Sequence, residues 1–144
     1  MAYKALDVAS YVINYCNRQD KMISNLRLQK LLYFIQAYFV IQDGVNSPCF
    51  EERIEAWDFG PVVPDVYRYF SVFGSGHIFK IRDFDEDTIL SIHQKMIAKV
   101  IDSFCDYSDA DLLKLTHTQE PWKNAFEQSK QNEITVKALR EYFN

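Results

Sequence analysis

Glycine and proline are scarce in this 144-residue chain, four of each, and seven of those eight residues fall between Gly44 and Gly76. Outside that window only Pro121 interrupts the backbone, so the flanks read as helices and the middle is where the chain turns. Cysteine is also sparse. Cys16, Cys49 and Cys105 are odd in number and widely spaced, which excludes a disulfide framework and predicts a reducing, cytoplasmic setting. Long apolar runs are missing: the longest, Leu31 to Ile41, falls well short of the roughly 20 residues that span a bilayer. The opening MAYKALDV has no charged-then-apolar signal design, so the expectation is a soluble protein without membrane partners. Basic charge is lacking too. The net charge is −4, and residues 1–72 hold seven basic and eight acidic side chains against nine and twelve in 73–144. Neither half carries the electrostatic footprint of phosphate binding, which argues against a nucleic-acid partner.

Catalytic and metal motifs are equally absent. His77, His93 and His117 and the three cysteines make no C-x-x-C and no H-x-x-x-H spacing. Gly74-Ser75-Gly76 lacks the third glycine and the lysine of a phosphate loop and reads as a turn. Glu52 and Glu55 beside Arg53 read as a solvated strand edge rather than an acid–base pair. No cofactor or metal is expected.

What is present is apolar and aromatic: 48% hydrophobic residues and 15% aromatics, a globular composition of one-domain size. The spacing of Leu6, Ala9, Ile13 and Cys16 predicts a helix over about 4–17. Ser24 or Asn25 then caps a second helix, about 26–42, too apolar to lie on a surface and stopped by Gly44. Loose alternation suggests a small two-stranded ribbon of about 53–58 and 77–82. Pro64 and Asp65 suit a helix start whose face is Val66, Phe70 and Phe73. A long helix after Asp85-Glu86-Asp87 should bury Ile89, Ile92, Met96, Val100 and Phe104. Ser108 with Asp111 resembles a capping box. Pro121 opens a short helix, and Thr135 caps a last one carrying Val136, Leu139 and Phe143. The predicted fold is mostly α: one domain over 1–144, a bundle around the buried helix 26–42.

Two stretches resist a bland account. Gln29, Tyr33 and Gln36 share one face of the central helix, with Lys30 one step round. A buried polar stripe needs partners. Either it pins the irregular backbone around Trp57, Gly60, Pro61 and Pro64, or it lines a groove that receives another protein. Thr116-His117 before Pro121-Trp122 reads as a corner between helices held by side-chain hydrogen bonds, with no nucleophile placed beside His117 to make it a base.

At these residues the chain resembles the Panacea antitoxin domain, also described as the SocA-like or phage-associated GepA-like family. The matching pieces are Ala5-Leu6-Asp7-Val8-Ala9, Leu28-Gln29-Lys30-Leu31-Leu32-Tyr33-Phe34 with Gln36-Ala37, Ala56-Trp57 with Gly60-Pro61-Val62-Val63-Pro64 and Val66-Tyr67, Leu115-Thr116-His117 with Pro121-Trp122, and Ile134 to Phe143. The resemblance implies a non-enzymatic antitoxin, of bacterial or prophage origin, that binds a cognate protein toxin directly. In one branch it implies delivery of that toxin to a protease or chaperone. Lys30, Tyr33, Gln36, Trp57, Tyr67 and Trp122 are then the expected partner patch, while Gln29, Gly60, Pro61, Pro64, His117 and Pro121 serve the fold. The competing class is a nucleic-acid-binding regulator of its own operon or of prophage genes, which needs a helix-turn-helix among residues 86–117.

Overall fold

A computed structural model describes residues 2–144. Seven helices are α1 (Ala5–Arg18), α2 (Asn25–Asp43), α3 (Pro64–Tyr69), α4 (Ser91–Ser103), α5 (Asp109–His117), α6 (Glu120–Gln128) and α7 (Val136–Phe143). Three short strands, β1 (Ile54–Trp57), β2 (Gly60–Val62) and β3 (Glu133–Ile134), form one antiparallel sheet in the order β2-β1-β3. The architecture is mostly α, as its helical periodicities predict. No helix among the described residues is long and apolar enough to cross a membrane.

The centre is α2. Its sequence has almost no polar side for water, and thirteen of its nineteen residues are buried. The Ser24 side chain accepts from the Arg27 N–H at its start, and Gly44, at φ +94, ends it. Helices α1, α4, α5 and α7 pack around it. The Ser108–Asp111 capping box opens α5 and the Thr135 hydroxyl caps α7, both at the residues whose spacing signals them.

The ribbon differs from its expected form. β1 does pair, but with β2 across the Asp58-Phe59 turn and with β3 on its other edge, not with 77–82. Side chains instead satisfy the backbone of 77–82: Asn14 bonds both the N–H and the carbonyl of Ile81, and Asn17 donates to the Ile78 carbonyl. The Ile78 N–H reaches the Ile23 carbonyl at 2.9 Å. With the amides of its two inward residues, Ile78 and Ile81, taken up this way, the segment is held without a strand partner. Ile92 is a second correction. A one-turn 3-10 helix (Glu86–Thr88) and an extended Ile89 precede α4, whose buried face centres on Ile97, Val100 and Ile101 and leaves Ile92, in the first turn, off to one side. Ile92 is exposed while Ile97, Val100 and Ile101 face the core.

Candidate functional site

The polar stripe of α2 is consumed inside the protein. Gln29, wholly buried, accepts the Val63 N–H on Oε1 at 2.8 Å and donates from Nε2 to Asn25 at 2.9 Å. Asn25 in turn donates to the Tyr67 carbonyl at 3.0 Å. Lys30 donates from Nζ to the Pro61 carbonyl at 2.9 Å. Gln36 accepts from Cys49 and donates to the Phe50 carbonyl, each at 2.7 Å. The Tyr33 hydroxyl donates to Gln119 at 2.8 Å. These bonds replace the ladder that residues 49–50 and 61–63 lack on their inner side.

Of the six residues expected to form a partner patch, Lys30, Tyr33 and Gln36 are therefore interior, whereas Trp57, Tyr67 and Trp122 are half-buried. The structure brings Trp57 and Tyr67 together with Phe59 at the hairpin tip: the three ring centroids are 5.4 to 5.6 Å apart. Trp122 lies beside them, its indole N–H donating to the Trp57 carbonyl at 2.8 Å. His117 stacks on the Trp122 ring at 4.1 Å. Gly60, at φ +101, lies where a Cβ would sit 2.7 Å from Lys30 Cε; only glycine lets the turn close on that side chain. Pro64 opens α3 and Pro121 opens α6.

The electrostatics follow from burial. Lys30 has its pKa pulled down to about 7 by desolvation. Burial also lowers that of His117; the backbone of Asp58 opposes this and the charge of Lys30 adds to it. Among the described residues no group of His, Cys, Asp and Glu is arranged to hold a metal ion.

Sequence reasoning gives no site role to Phe59, Gln119, Asn14 or Asn17, and reads Asn25 only as a candidate helix cap, which Ser24 provides instead. One asparagine carries a readable signal: Asn14 falls among the apolar positions of α1, where a polar residue implies a backbone partner.

The α2 stripe, the Gly-Pro hairpin and the Thr116-His117 corner all lie within a stretch that matches a known family. The model described as "Antitoxin SocA-like, Panacea domain" matches residues 28–123, and the chain belongs to that family. It is similar to the antitoxin SocA of Caulobacter vibrioides (strain NA1000 / CB15N), 41% identical over 86 residues, which are 60% of this chain and 44% of that protein. The match spans less than half the length of that curated relative. No solved structure matches.

Proposed function

We propose that this chain is an antitoxin that neutralises a cognate protein toxin by direct, steric binding, the whole of 1–144 acting as one unit. Family membership supports the role, and one observation supports the mode. The hairpin is held rigid from beneath by Gln29 and Lys30 and turns a cluster of half-buried rings, Trp57, Phe59 and Tyr67, outward with Trp122 beside it. Large aromatics on a preorganised backbone lose little conformational freedom on binding and are enriched at interface hot spots. In this reading Lys30, Tyr33 and Gln36 act by positioning that platform. A standard interface covers about 800 Å² per partner, so the rim is the centre of a wider footprint.

The test is co-expression with the product of the neighbouring open reading frame. Rescue of growth by the wild-type chain, with binding weakened by Trp57→Ala and Tyr67→Ala in folded variants, is the expected result. Absence of rescue and of binding would refute the antitoxin role for that pair. Toxin abundance separates the modes: a stable toxin in an inert complex fits steric neutralisation, and a toxin depleted only in protease-competent cells fits delivery for proteolysis.

A further inference from the structure

Buried ammonium groups are ordinarily paired with an anion, or they surrender their proton. Lys30 is wholly buried, yet its Nζ has one hydrogen-bond partner among the described residues, the Pro61 carbonyl, which uses one of three donors. It takes part in no ion pair among those residues. The one buried side-chain nitrogen or oxygen without a partner among them is His117 Nε2. Native proteins rarely strand such atoms. Both groups face the same tight turn. Lys30 reaches the underside of Gly60-Pro61, and the His117 ring meets the backbone of Asp58 and feels the Lys30 charge. The half-buried Phe59 ring stands over Nζ, its centroid 5.6 Å away. Asp58, the acid on that turn, is exposed and pairs with neither.

We propose that Lys30 Nζ and His117 Nε2, roofed by Phe59, form a binding site for a single carboxylate group. One oxygen accepts from the two spare ammonium donors, and the other meets Nε2, which takes up a proton and donates it. Both nitrogens are buried, with Phe59 beside Nζ and Trp122 stacked on the His117 ring, so little water competes for either bond. Entry requires the Phe59 ring to swing outward. A tetrahedral phosphate has more acceptor oxygens than the two spare ammonium donors and one ring N–H can satisfy around a wholly buried lysine, so the site favours the carboxylate. The near-neutral pKa of Lys30, about 7, is that of a cation still lacking its counter-charge. The site rests on these atoms whether or not the antitoxin reading holds. The carboxylate has two sources, a free carboxylic acid or an Asp or Glu side chain of a bound protein.

The test titrates acetate into the labelled full-length chain at pH 7, following the His117 ring resonances by NMR, with inorganic phosphate as the second probe. Acetate should shift them saturably, with a binding heat that varies with buffer ionisation as protons are taken up. Lys30→Met should weaken binding about tenfold or more, the loss expected for a charge-assisted hydrogen bond. If that variant fails to fold, His117→Phe, which keeps the stack on Trp122, should weaken the binding heat in the same way. No saturable response, unchanged affinity in the folded variant, or tighter binding of phosphate than of acetate would overturn the proposal. Titrating the neighbouring gene product with and without saturating acetate distinguishes the sources: a weakened complex assigns the carboxylate to the protein partner, an unchanged one to a free acid.

Discussion

Gln29→Met tests whether the stripe of α2 holds the hairpin. Methionine matches glutamine in length and fills the same buried space, but its thioether has no hydrogen to donate and accepts only weakly. Two groups lose their partners: the Val63 N–H, 2.8 Å from Gln29 Oε1, and Asn25 Oδ1, 2.9 Å from Nε2. Gln29 is wholly buried, so water cannot replace it without rearrangement. Each orphaned group costs about 1–3 kcal/mol, giving about 2–6 kcal/mol in all. That is a large share of a stability that runs about 5–15 kcal/mol for a typical protein. Urea unfolding at fixed pH measures it; at a slope of about 2 kcal/mol per molar, the midpoint should fall by roughly 1–3 M. Adding Asn25→Ala should cost less in the variant than in the wild type, because one of the Asn25 bonds is already lost. A midpoint shift below about 0.5 M with an unchanged slope would refute the idea that this side chain anchors the irregular backbone.

Gly60→Ala should destabilise by about 2–5 kcal/mol, combining a backbone held at φ +101 with a Cβ placed 2.7 Å from Lys30 Cε. Thermal or urea unfolding checks it, and a loss under about 1 kcal/mol would show that the turn relaxes freely. Lys30 makes stability depend on pH. Its pKa is about 7 folded and 10.5 at its ordinary value, so above pH 7 the unfolded chain holds a proton that the folded chain lacks. Stability therefore rises with pH, by about 2–3 kcal/mol from pH 7 to 9. Above that range the thiols of Cys16 and Cys49, whose pKa values burial raises, pull the other way. Lys30→Met should flatten the rise, and an unchanged slope in that variant would assign it elsewhere.

The helices are legible because their apolar spacings and caps are local. Ser24, Ser108 and Thr135 each stand where the chain must supply an acceptor to free N–H groups. The inner face of α2 is legible for a similar reason, since Gln29 and Gln36 on so apolar a rod imply backbone partners. Strand pairing is less so. The alternation of 77–82 suits a strand, but only the tertiary fold decides whether a ladder or Asn14 and Asn17 receive its amides. The two-residue Glu133–Ile134 strand is too short to carry a pattern at all. Ile92 is misplaced because the face of α4 that meets the core centres on Ile97, Val100 and Ile101, a rotation that a stripe of several apolar residues does not decide. At the aromatic rim the residue types are readable and their exposure is not. Burial depends on neighbours distant in sequence, as with Trp57 and Trp122.

The β3 strand closes the free edge of β1 from nearly eighty residues downstream, and α7 behind it seals one side of α2. Both lie beyond residue 123, where the matched span ends, and α1 lies before its start at 28. In chain order the hairpin is therefore made with one edge open, and that edge stays open until the distant β3 strand follows it out of the ribosome.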